Sequence, residues 1–139
     1  MALPSFEDIE VGDALPELTH PPITRLQLAL YAGASGDHNP MHVDIDFVKQ
    51  AGLEDVFAHG MLGMAWLGRL VTQWVPQSAL RHLEARFLDI VPVHAEVTTR
   101  GRVARKFTED GENRVELEIE NVDGEGRASI SGVAVVALD

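Results

Sequence analysis

The spacing of apolar and polar positions changes near Pro76 of this 139-residue chain. Before that point apolar residues recur at helical intervals. In RLQLALYAGAS, Leu26, Leu30 and Tyr31 fall on one side of a helix that Thr24 can cap and that Gly33 and Gly36 weaken at its end. Asp44 or Asp46 can cap a shorter helix through Phe47, Val48 and Ala51, stopped at Gly52. Met61 to Val75 is apolar on most sides and ends at Pro76, which predicts a helix buried all round. The cluster His20-Pro21-Pro22 marks a turn.

After Pro76 the period becomes two. HLEARFLDI, HAEVTTRGRVARKF, NRVELEIENV and GRASISGVAVVALD read as strands with one buried face, for example Val115, Leu117 and Ile119 against Glu116, Glu118 and Glu120. Asp110-Gly111-Glu112-Asn113 and Asp123-Gly124-Glu125-Gly126 supply the turns between them. The expectation is an α+β fold, an antiparallel sheet around one long apolar helix. No linker or repeat divides the chain, so a single domain over residues 1–139 is expected. Such a sheet has edges that a second copy could cover, which predicts a homodimer.

Composition narrows the function classes. Eleven basic against 22 acidic residues give a net charge of −11, a field that disfavours nucleic acid and anionic membrane surfaces. The absence of cysteine excludes a disulfide framework and thiolate catalysis. MALPSFEDIEVGD lacks the basic start and apolar run of a signal peptide, and no stretch approaches the ~20 apolar residues of a membrane span. The expected compartment is the cytoplasm.

The densest chemistry lies in SGDHNPMHVD, Ser35 to Asp44. Three readings are open. Gly, Asp, Asn, Pro and Ser build turns, so the loop could only reverse the chain, with Asp37 and Asn39 bonding nearby backbone. His38, His42, Asp44 and His59 could instead ligate zinc or iron, although only His38 and His42 have i, i+4 spacing and that pair spans a proline. Finally, Asp37 and His42, five positions apart, could share a water and add it across a double bond. A turn alone needs neither His42, Asp44 nor the His59 that opens the apolar helix.

YAGASGDHNPMHVD, Tyr31 to Asp44, resembles the signature of the MaoC-like (R)-specific enoyl-CoA hydratases, and AHGML, Ala58 to Leu62, resembles the start of the long helix in that family. FEDIEVGDAL also looks like the family's first strand. The resemblance implies a hot-dog fold, usually dimeric. It further implies that Asp37 and His42 activate water for syn addition to a trans-2-enoyl thioester, or reverse that addition. The Gly60 N–H at the start of the helix would hold the thioester oxygen as it becomes enolate-like. Asn39, Asp44 and His59 are supporting candidates: Asn39 for the loop or the carbonyl, Asp44 for orienting His42 or capping a helix, His59 for the pocket mouth or the helix start.

The substrate expected is a coenzyme A thioester, with acyl carrier protein as an alternative carrier and with no cofactor or metal. Arg100, Arg102, Arg105 and Lys106 form the only dense basic stretch, and strict alternation would put Arg100, Arg102 and Lys106 on one face, toward the coenzyme A phosphates or toward solvent. Two departures from the family pattern stand out. Ala65 replaces a serine that many members carry, and Pro92 to Glu96 reads PVHAE where many have Pro-Val-x-x-Gly-Asp. Two alternatives remain, a hot-dog acyl-CoA thioesterase and a non-catalytic subunit of a heterodimeric dehydratase.

Overall fold

The computed structural model describes residues 3–139. Its elements run in chain order as β1 (Leu18–His20), α1 (Arg25–Ser35), a single 3-10 turn at Pro40–His42, α2 (Ile45–Gln50) and α3 (Gly60–Trp74), then β2 (Leu80–Phe87), β3 (Val97–Glu109), β4 (Glu112–Val122) and β5 (Ala128–Leu138). The five strands form one antiparallel sheet in the order β1-β3-β4-β5-β2. This is the hot-dog arrangement.

Alternation sets the inner face. Val115, Leu117 and Ile119 of β4 are buried, as are Ala134 and Val136 of β5, and together they enclose Leu67, Leu70 and Val71 of α3. Full burial of a side chain such as Leu67 stabilises by roughly 1.5–3 kcal/mol. Gly63 lets the helix approach that closely, because a Cβ there would lie 2.5 Å from Ile130 Cδ1. A second apolar cluster, including Ile23, Leu28, Val48, Val56, Trp66 and Val97, seats α1 and α2 over the start of α3. Between β3 and β4, Asp110 (φ 53°) and Gly111 (φ 76°) make the two-residue, left-handed turn that suits the twist of paired strands.

Several expectations need correction. The buried side of α1 is Leu28 and Ala32, while Leu26 and Leu30 face outward, because the helix packs on Val48 and Val56 rather than along its leucine stripe. Helix α3 is not buried all round; Met61, Ala65, Arg69 and Thr72 form an exposed face. FEDIEVGDAL does not form the first strand. It turns twice and contributes one bridge, Ala14 to Arg102, and β1 begins later at Leu18. Pro21 and Pro22 lie in irregular chain without a turn, followed by Ile23, which exchanges backbone bonds with His94 and Ala95. Pro92 to Glu96 precedes β3 as a turn, with His94 at φ 70°.

Candidate active site

The decapeptide loop is built by side chains that bond backbone two positions on. Ser35 Oγ accepts the Asp37 N–H at 3.1 Å, Asp37 Oδ1 accepts that of Asn39 at 3.2 Å, and Asn39 Oδ1 accepts that of Met41 at 3.1 Å. Asp44 Oδ1 then caps α2 through Asp46 and Phe47, each at 3.1 Å. The turn reading is therefore structurally correct, and it leaves Asp37 Oδ2 free. That oxygen lies 3.9 Å from His42 Nε2.

Backbone geometry fixes the His42 tautomer. Its Nδ1 lies 2.7 Å from the Phe57 carbonyl, which can only accept, so Nδ1 carries a hydrogen, and in the neutral form of the ring Nε2 turns its lone pair toward Asp37. Phe57 also meets the His42 ring edge-on at 5.1 Å. A separation of 3.9 Å is too long for a direct hydrogen bond, yet one water can bond both groups across it. The His42 side chain is 10 % exposed, whereas the Asp37 side chain is 48 % exposed. One partner is thus held firmly and the other is half exposed.

His59 completes the cluster. It is 1 % exposed, its Nε2 lies 3.1 Å from the Asp37 carbonyl oxygen, and its ring stacks on His42 at 4.0 Å between centroids. Tyr31 meets it edge-on at 4.8 Å. Burial pushes the His59 imidazole below its ordinary 6.5; the bond to the Asp37 carbonyl opposes this shift, and the neighbouring His42 adds to it. Of the two roles expected for His59, the pocket mouth and the helix start, it takes the second by position. His59 occupies the N-cap position of α3 through its backbone, with no side-chain cap bond.

Gly60 follows at the first position of α3, where its N–H meets no protein acceptor among the described residues and the helix end favours negative charge. A Cβ there would lie 3.0 Å from Phe87 Cε1, so the phenyl ring takes the space that any larger residue would need. Asn39 builds the loop through its side chain, and Asp44 caps α2 rather than orienting His42, whose Nδ1 is already engaged by Phe57. The four-residue metal set that the sequence left open does not assemble: the His38 ring turns to the Gly36 carbonyl, and Asp44 serves its helix. Asp37, His42 and His59 do lie within 4.8 Å of one another.

The basic stretch of β3 is employed elsewhere. Arg100 pairs with Glu120 at 2.8 Å, Arg102 with Glu118 at 2.5 Å and Arg105 with Glu116 at 3.0 Å, a cross-strand ladder on the outer face. A bulge between Val103 and Arg105 shifts the alternation. It puts Arg105 on the ladder and sends Lys106 to the other face, where its Nζ donates to the Ile9 carbonyl at 2.7 Å and lies over the Phe6 ring. A groove of about 940 Å³ runs along that outer face, lined by Arg86, Arg100, Arg102, Glu118, Glu120 and Ser131. Its charged walls do not suit an acyl chain, and neither Asp37 nor His42 lines it.

Sequence reasoning missed Phe57 and the clamp made by His59. Ser35 was legible as an oxygen two positions before Asp37, but a distant carbonyl has no side-chain signature. Among the described residues no helix is long and apolar enough to cross a membrane.

Comparison with known proteins gives a consistent picture. Residues 10–125 match the family model described as MaoC like domain. The chain is 28% identical over 135 residues to the mitochondrial 3-hydroxyacyl-[acyl-carrier-protein] dehydratase of Arabidopsis thaliana, covering 86% of this chain and 76% of that one. It is 32% identical over 106 residues to the fatty acid synthase subunit beta of Saccharomyces cerevisiae, across 65% of this chain but only 5% of that much longer protein. Among solved structures, the unliganded R-hydratase PhaJ1 from Pseudomonas aeruginosa superposes with a TM-score of 0.84 at 25% identity, covering 97% of this chain and 86% of that chain.

Proposed function

The chain belongs to the MaoC-like domain family of hydratases and dehydratases, and from that premise we propose that it catalyses reversible hydration of a trans-2-enoyl-CoA to the (R)-3-hydroxyacyl-CoA. One observation carries the proposal: an Asp37 carboxylate oxygen and the lone pair of His42 stand 3.9 Å apart, spaced to hold one water between them. As the water oxygen bonds to carbon 3, the pair takes its proton, and the carbon–carbon π electrons move through the conjugated system to the thioester oxygen. The Gly60 N–H stabilises that developing charge. Collapse of the enolate takes the proton back at carbon 2 from the same face. Every atom of the water is then in the product, and syn addition results.

Coenzyme A is the carrier we propose, with acyl carrier protein as the alternative; both are anionic, so the net charge of −11 does not choose between them. The outer-face arginines, already paired with glutamates, are not assigned to its phosphates. A homodimer suits the fold: β2 is an eight-residue edge strand, and Met61, Phe87, Leu88 and Ile90 near the start of α3 are exposed apolar groups that a second copy would cover. A chain without cysteine suits the reducing cytoplasm, the compartment we assign.

Ultraviolet absorbance of crotonyl-CoA and longer trans-2-enoyl-CoAs follows loss of the conjugated double bond, and chiral analysis of the product reports its hand. Loss of absorbance with (R)-3-hydroxyacyl-CoA formed and no free thiol is the expected result. Free coenzyme A released from saturated acyl-CoA would indicate a thioesterase instead, and no turnover by the purified homodimer would favour a non-catalytic subunit.

A further inference from the structure

His59 is the one group of the cluster that faces both members of the acid/base pair, and the hydration chemistry as written does not use it. Its Nε2 donates to the main-chain oxygen of Asp37 at 3.1 Å, bridging 22 positions of sequence, while its ring lies 4.0 Å from that of His42 at an interplanar angle of 27°. Its other nitrogen, Nδ1, is buried and meets no hydrogen-bond partner among the described residues. A buried orphan nitrogen disfavours the protein unless something offsets it. The bond that places Asp37 is what this ring supplies in return.

We infer that His59 is a positioning residue for the proposed hydration, a neutral imidazole with its proton on Nε2 that clamps the Asp37 backbone to the start of α3 and sets the gap to His42. The inference rests on the hydratase reading of Asp37 and His42. Three features make the clamp specific. The Asp37 carbonyl can only accept, so the Nε2 proton is required. A second proton on Nδ1 would be buried with no acceptor and would face His42 across a ring stack, so the ring stays neutral. The Asp37 side chain is half exposed and bonds only the Asn39 N–H within its own loop, so its distance from His42 depends on where the backbone is pinned. Tyr31, edge-on to His59, holds the ring from the α1 side.

Two substitutions separate the clamp from mere packing. The His59→Gln amide nitrogen extends to about the reach of Nε2 and can still donate to the Asp37 carbonyl, whereas the shorter His59→Asn amide ends near the place of Nδ1. Misplacing a reacting group by about 1 Å can cost on the order of 100-fold. His59→Asn should therefore lose about 100-fold in kcat with KM little changed, while His59→Gln stays within about tenfold of wild type. Equal loss in both variants, or wild-type kcat in His59→Asn, overturns the inference. If His59→Asn does not fold, nitrogen-15 NMR of the wild-type imidazoles decides: a proton held on Nε2 with Nδ1 bare supports the clamp, and a proton on Nδ1 overturns it. Should the wild type hydrate no enoyl-CoA, the reaction itself is wrong, and the NMR result still reports on the clamp.

Discussion

Two buried histidines stand at the centre of two polar clusters, and the clusters differ in how completely they are satisfied. His20 donates through Nε2 to Thr99 Oγ1 at 2.8 Å, Thr99 donates to Asn121 Oδ1 at 2.7 Å, and Asn121 Nδ2 donates to the Gly63 carbonyl at 2.9 Å. His20 also stacks on Trp66 at 4.1 Å. That chain runs from β1 through β3 and β4 into α3, and each of its three side chains gives a hydrogen to the next partner. The cluster of Asp37, His42 and His59 is different, with one orphan nitrogen, one half-exposed carboxylate and a gap of 3.9 Å. A buried polar network that is fully bonded specifies packing, whereas one left open has capacity for a ligand. The first cluster sets the depth of the helix against the sheet; the second leaves room for water.

This contrast can be broken most forcefully at Asn121. Asn121→Leu removes the acceptor of Thr99 and the donor to Gly63, and should cost about 1–3 kcal/mol of stability while kcat per folded molecule changes little. Denaturant midpoints and active-site-normalised rates read both quantities. A large fall in kcat without a loss of stability would mean that the satisfied chain also serves the chemistry.

A smaller effect should come from pH. Burial, helped by the nearby Arg69 charge, holds His20 below the ordinary 6.5, and burial does the same to His59. A group whose folded pKa is depressed binds its proton more readily in the unfolded chain. Its contribution is therefore fully present above 6.5 and is lost as pH falls toward the folded value. Melting temperature should drop between about pH 7 and pH 5, and His20→Gln should flatten part of that slope. An unchanged slope in His20→Gln would remove His20 from the acid response.

Much of the scaffold could be read before any coordinates. Thr24 and Asp44 cap the helices foreseen for them, Asp110-Gly111 makes its turn, and the alternation of β4 gives the buried face correctly. These features are local, set by one side chain and the backbone beside it. What escaped was set at a distance. Leu26 and Leu30 look like a buried stripe, but the site where α1 lands selects Leu28 and Ala32. The bulge after Val103 exchanges the faces of Arg105 and Lys106, which strict alternation cannot foresee. In the site, the pairing of Asp37 with His42 followed from spacing and family likeness. The Phe57 carbonyl that fixes the His42 tautomer, and the Asp37 carbonyl held by His59, are backbone atoms that any residue would supply.

The central claim is that Asp37 and His42 act as one unit on one water. Its most direct test is a double-mutant cycle on crotonyl-CoA hydration with Asp37→Asn, His42→Ala and the combination, each checked for retained fold by circular dichroism. Each single substitution should lower kcat by at least about 100-fold, and the double should fall little further than the worse single, as expected for residues that act as a unit. Near wild-type hydration by either single variant, or losses that multiply in full, would contradict it.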